Sequence, residues 1–233
     1  MEFEKLNAPS LKELFVGQIR DNILSGRLPV GTRLPPEREI AQQMQVSRAV
    51  VNGGLAELAH EGFIEIRARQ GVFVADYGRS GNIDTLISIM EYSGETLGKA
   101  EIRSILEVRR ALEHLATDAA IENASDEDLT RLGERLADME LAPTLPEEIR
   151  AAFVFHHELS IIGGNSILPL IYTSFQPIVS QLWTRFCRRY GMDALNASTR
   201  RLYEYLCARD RDGARASTDH SLNEAIRGAH QIY

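Results

Sequence analysis

Three groups of residues have the types and spacing to do chemistry. Arg48 and Asn52 lie four apart behind Ser47, so a helix capped by Ser47 carries both, with Ala49, in its first turns. An arginine there offers paired donors to guanine, and an asparagine can pair with adenine in a major groove. Arg109 and Glu113 lie four apart where Ile102, Ile105, Leu106, Leu112 and Ala116 mark one buried helical stripe. Arg109 falls on that stripe, and a charge facing a core needs a partner. Two partners are open, an internal ion pair with Glu113 or an anionic ligand. The third group, His156-His157-Glu158, has metal-ligating and acid–base side chains, but not the HExxH spacing. No nucleophile beside a base and no phosphate-cradling glycine loop occurs elsewhere, which argues against an enzyme.

These groups need elements to hold them. Ser10-Leu11-Lys12-Glu13 is a capping box that opens a helix through Leu24, stopped near Gly26. Pro36 fits a first-turn proline, and a short second helix runs from Glu37 to about Met44. The third helix, capped by Ser47 and stopped by Gly62, is harder to see because it contains Asn52-Gly53-Gly54. That tripeptide is a strong turn signal, yet Val50, Val51, Leu55 and Leu58 recur around it at helical spacing. The helix reading keeps the stripe whole and costs roughly 1 kcal/mol per glycine relative to alanine. Close approach to a nucleic-acid backbone or to the first helix would justify that cost. FIEIR (63–67) and GVFVA (71–75) alternate apolar and polar residues across ARQ, as a β-hairpin does. Three helices and a hairpin form the layout of a winged helix-turn-helix.

Beyond the polar, glycine-rich DYGRSGNI (76–83) no strand-like alternation occurs. Helical periodicity recurs through 83–92, 99–122, 126–141, 147–162, 166–190, 194–208 and 213–229, with a second capping box at Ser125–Asp128. Pro169 and Pro177 are expected to bend or break the fifth of these segments. The expected fold is mixed: a winged helix-turn-helix domain at 1–77, a linker at 78–83, and an all-α bundle of six to seven helices at 84–233.

With 44% apolar and 25% charged residues in 233, the chain has the composition of a globular protein of two domains. No run approaches the roughly 18 apolar residues that span a bilayer, and the acidic, polar start lacks the layout of a signal peptide. Cys187 and Cys207 have neither CxxC nor histidine-rich company, so free thiols in a reducing cytoplasm are expected. Of the net charge of −7, residues 1–78 carry −1 and residues 79–233 carry −6. The acidity that argues against nucleic acid therefore sits mostly in the second domain.

LPPEREIAQQMQVSRAVV followed by LAELAHEGFIEIRARQGVFV closely resembles the GntR family of bacterial transcription regulators over about residues 10–75. EVRRALE (107–113) and FHHELSIIGGN (155–165) resemble the effector domain of its FadR subfamily. The resemblance implies a homodimer whose paired winged domains bind a palindromic operator in double-stranded DNA. It also implies a small-molecule effector in the helical domain that alters the geometry of that pair. Carried over by position, the DNA contacts fall on Arg38, Ser47, Arg48, Ala49 and Asn52, with Gln70 and Gly71 at the wing tip; Arg33 is expected as a phosphate contact beside them. Where relatives carry arginine-glutamate this chain has Asn52-Gly53. That removes one cation, which weakens the salt dependence of binding, and shifts the expected base preference under Asn52.

Many members of the subfamily bind a metal through one Asp and three His. The matching positions here are Ala152, His156, Thr199 and Ser221, or His220 if one residue is deleted nearby. Three of the four lack a transition-metal ligand, so no metal or other cofactor is expected. Periodicity places Ser221 at the border of the inner face marked by Leu222, Ala225, Ile226 and Ala229, and His220 nearly opposite; His157 falls on a face beside that of His156. The effector site is expected at Arg109, Glu113, His156, Thr199 and Ser221, for a small anion that is a carboxylate or acyl-coenzyme A-like. SFQPIVSQLWTRFCRRYG is loosely similar to the acyl-coenzyme A type; Arg185, Arg188 and Arg189 either meet phosphates there or form an exposed basic helix end. An alternative function is a protein-interaction module whose degenerate winged helix no longer binds DNA, as Asn52-Gly53 suggests. The retained Arg38, Arg48 and Gly71 speak against it.

Overall fold

The computed structural model describes residues 9–93 and 99–232, in two compact units that part at Gly94. The first contains α1 (Leu11–Leu24), α2 (Glu37–Gln43), α3 (Arg48–His60), β1 (Ile64–Arg67), β2 (Gly71–Val74), the short α4 (Tyr77–Ser80) and α5 (Ile83–Ser93). The capping box at α1 is formed: the Ser10 hydroxyl accepts from the Glu13 N–H, and the Glu13 carboxylate accepts from the Ser10 N–H. Ser47 caps α3 by accepting from the Val50 N–H at 3.3 Å, and Asn52-Gly53-Gly54 is helical. Pro36 stands one residue earlier than expected, at the N-cap position of α2. Phe15, Val16 and Ile23 of α1 close a core with Val51, Leu55 and Leu58 of α3 and with Phe63 and Val74 of the hairpin.

The hairpin pairs Ile64 with Val74 and Arg67 with Gly71. A third segment joins its edge, because the Leu34 N–H donates to the Val72 carbonyl and the Val74 N–H to that of Thr32. The polar stretch 78–83, expected as a linker, is tied to the end of α3: the Asn82 amide donates to the His60 carbonyl at 2.7 Å, and the Thr85 hydroxyl donates to that of Glu61. Those bonds group α5 with the first unit.

The second unit is all-helical, with six helices among the described residues. They are α6 (Lys99–Asn123), α7 (Asp126–Glu140), α8 (Leu145–Ile162), α9 (Leu168–Tyr190), α10 (Met192–Cys207) and α11 (Arg211–Arg227). The expected break in α9 does not occur. Pro169 sits in the first turn, where its missing N–H would have no partner anyway. Pro177 lies inside the helix and removes a single backbone bond. Burial of Ile178, Val179, Leu182 and Trp183 just beyond it holds the helix together. Cys187 is buried, Cys207 is exposed, and both are free thiols. No helix among the described residues is long and apolar enough to cross a membrane.

Candidate functional site

In the first unit α3 presents Arg48, Ala49 and Asn52 to solvent, and Arg38 is exposed on α2. Ser47 is exposed at the cap, Gln70 at the wing tip, and Arg33 beside the wing. Among the described residues Arg33, Arg38 and Arg48 enter no ion pair, so their charge is available to a polyanion. Gly71 has φ +116°, and a Cβ there would lie 3.0 Å from the Arg33 Nε. The wing turn and the Arg33 side chain thus need glycine at this point. Asn52 is not idle in the free protein. With its amide nitrogen facing the acceptors it donates to Glu37 Oε2 at 2.7 Å and to the Arg48 carbonyl at 3.2 Å. Sequence reasoning missed this Glu37 contact, since it joins two helices whose relative placement no local pattern fixes.

The second unit holds a part-open cavity of about 280 Å³ among α6, α8, α9, α10 and α11. Arg109, Glu113, His156, Thr199 and Ser221 all line it. The Arg109 guanidinium carbon lies 4.6 Å from the centre of the Trp183 ring. The Glu113 carboxylate meets His156 Nδ1 at 2.6 Å and accepts from the Tyr172 hydroxyl at 3.2 Å. The direct Arg109–Glu113 ion pair left open by the sequence is therefore not formed. Among the described residues Arg109 makes no hydrogen bond or ion pair, only the ring contact and a longer-range attraction to Glu113.

Electrostatics follow from this arrangement. Burial by itself would raise Glu113, but the nearby His156 and Arg109 and the Tyr172 hydroxyl hold its carboxyl below the usual range. Burial and the Glu113 charge push the Tyr172 phenol well up. Burial pulls the Arg109 guanidinium below its ordinary value, against the pull of Glu113, and a guanidinium stays charged at neutral pH. A cation without a hydrogen-bond acceptor thus stands at a largely apolar cavity, to which Ser217, Thr218 and Ser221 add hydroxyl-bearing side chains. The Trp183 indole N–H is buried without a partner. Such a wall suits a small anion.

The positions at which the resemblance would place a metal do not fit one. Ala152 is buried without a donor, and the Thr199 hydroxyl donates to the Leu195 carbonyl at 3.1 Å. His156 has its Nδ1 held by Glu113. Among the described residues no group of three or more His, Cys, Asp or Glu comes together. His220, expected opposite the inner face, is exposed yet also borders the cavity. His157 lies outside it, with Nε2 3.2 Å from the Thr173 hydroxyl. Tyr172, Trp183 and Phe186 escaped the sequence analysis because aromatic residues at helical spacing look like ordinary core.

Two stretches of the chain match known families. Residues 12–74 match the family described as bacterial regulatory proteins, gntR family, and residues 104–224 match the FCD domain. The HTH-type transcriptional regulator Mce2R of Mycobacterium tuberculosis (strain CDC 1551 / Oshkosh) is 28% identical over 228 residues, covering 97% of this chain and 94% of its own. An uncharacterized HTH-type transcriptional regulator of Mycobacterium tuberculosis (strain ATCC 25618 / H37Rv) is 30% identical over 170 residues, covering 73% of this chain and 69% of its own. The solved structure of Lar, described as controlling expression of the Listeria monocytogenes agr system, shares the fold with a TM-score of 0.64 at 18% identity. That likeness covers 98% of this chain and 100% of Lar. The chain belongs to the gntR family of bacterial regulatory proteins, as a transcription regulator with an FCD domain and not an enzyme.

Proposed function

We propose that the protein binds a palindromic operator as a homodimer and that a small anion in the helical cavity controls that binding. The observation that carries the reading is Arg109, a cation with no acceptor of its own at the wall of a part-open, largely apolar cavity. Glu113 is hydrogen-bonded by His156 and Tyr172 and acts on Arg109 only through a longer-range attraction, so the guanidinium donors are left for a ligand. A volume of about 280 Å³ sits at the small end of ligand sites. It favours a carboxylate of modest size over a whole acyl-coenzyme A. On the DNA side, Arg38, Arg48 and Arg33 neutralise phosphates or read guanine, Ser47 and Gly71 bring backbone N–H groups to phosphate, and Asn52 reads adenine.

A gel shift with the DNA upstream of the protein's own gene, repeated over a salt series, tests this. Specific binding is expected to weaken steeply with salt, and neutralising Arg33, the expected phosphate contact, should lower the log–log slope by about 1. Absence of a sequence-specific, salt-sensitive shift would overturn the reading in favour of a winged helix that no longer binds DNA.

A further inference from the structure

Resting on the reading of the cavity as the effector site, we propose that Gly228–Ile232, the segment following α11, is a strap that gates the cavity. Tyr190 and Glu224 are its latches. The chain leaves α11 at Gly228 with extended backbone and turns back along α9 and α11. The Tyr190 hydroxyl donates to the Gln231 carbonyl at 2.6 Å, and the Ala229 N–H donates to the Glu224 carboxylate at 2.8 Å. The Ile232 N–H donates to the Ala225 carbonyl at 3.3 Å. The His230 ring stands edge-on to Tyr190, with centroids 4.9 Å apart. Ile232 is buried, and both His230 and Ile232 line the cavity.

The rest of the cavity wall is made of long helices anchored in the bundle core. Among the described residues the strap is the part of the wall outside regular structure, held by a few hydrogen bonds, the His230 contacts with Glu224, Phe186 and Tyr190, and one buried aliphatic side chain. Segments with so few buried contacts open at a small fraction of the cost of global unfolding. Movement of the strap therefore widens or narrows the mouth of this part-open cavity, and its closure lengthens the residence time of a ligand at Arg109.

Trp183 supplies a reporter that needs no knowledge of the ligand. It is the single tryptophan of the chain, lines the cavity, and is 4% exposed. Acrylamide quenching of its fluorescence in the full chain is expected to be slow. The quenching rate constant should rise several-fold in Tyr190→Phe and in Ile232→Ala. Amide exchange read on the same proteins should quicken at Ile232 while Phe155 and Leu159, in the buried core of α8, keep their protection. An unchanged quenching constant overturns the strap, and so does a rise that comes only with faster exchange at Phe155 and Leu159. Neither readout contains DNA or effector. A failed gel shift would therefore strike the proposed function and leave the strap result readable.

Discussion

A Cβ placed on Gly54 of α3 would lie 2.2 Å from Cδ1 of Phe15 on α1. The two helices cross so closely that only a hydrogen fits between them. Its neighbour Gly53 is different, since a Cβ there would meet only Lys12 Cδ at 3.5 Å, an ordinary contact. The two glycines share a helix and have opposite reasons to be there. Gly54→Ala should destabilise the protein by about 1–3 kcal/mol through overpacking against Phe15. Gly53→Ala should stabilise it by up to about 1 kcal/mol through helix propensity. Urea denaturation midpoints decide; equal effects of the two changes would show that the crossing is not what holds Gly54.

Asn52 binds Glu37 before any DNA arrives, so reading a base requires exchanging that partner. Asn52→Ala should relax the preference at one base position by about 1–3 kcal/mol and leave the other positions alone. Selection of operators from a random library, with wild type and variant side by side, measures this. Recovery of one and the same half-site with both proteins would remove Asn52 from base readout.

Arg109→Met keeps the apolar stem against Trp183 and deletes the charge. In a thermal-shift panel of small mono- and dicarboxylates, wild type should gain several degrees with its preferred ligand class. The variant should gain none, and its gel shift without ligand should be unchanged. A variant that responds to the panel like wild type places the anion elsewhere.

Glu148 is buried, and neither carboxylate oxygen has a hydrogen-bond partner. Burial, aided by Asp193, pushes its carboxyl up to about 7. Because the folded value lies above the ordinary one, its neutral form is compatible with the fold below about pH 4.5. Stability is then lost as pH rises towards 7, and the loss is constant above that. Glu148→Gln should flatten this slope and make the protein more stable than wild type at pH 8. Denaturant midpoints between pH 5 and 8 check it, and parallel curves for the two proteins would count against a buried titrating carboxyl.

Much of the architecture was legible from local pattern. Capping boxes at Ser10 and Ser125, the cap at Ser47 and the 3.6-residue stripes are interactions within a few residues, so they locate the helices and the wing. The stripe also placed Arg109 and Glu113 towards the interior, and both reach the cavity. Local pattern left a bend or a break open at Pro177; the helix is not broken there, because burial of the following turn outweighs one lost backbone bond.

What the sequence by itself determined is which faces of which helices are apolar and where charge interrupts them. Only the tertiary structure decided what those charges meet. Glu113 finds His156 and Tyr172 across 43 and 59 residues of chain, Asn52 finds Glu37, and Gly54 meets Phe15. Ile232 comes to close the wall that contains Arg109. The physical reason is that periodicity fixes a residue's direction from its own helix axis, whereas partners depend on how axes cross. Crossing is settled by the packing of every side chain between them.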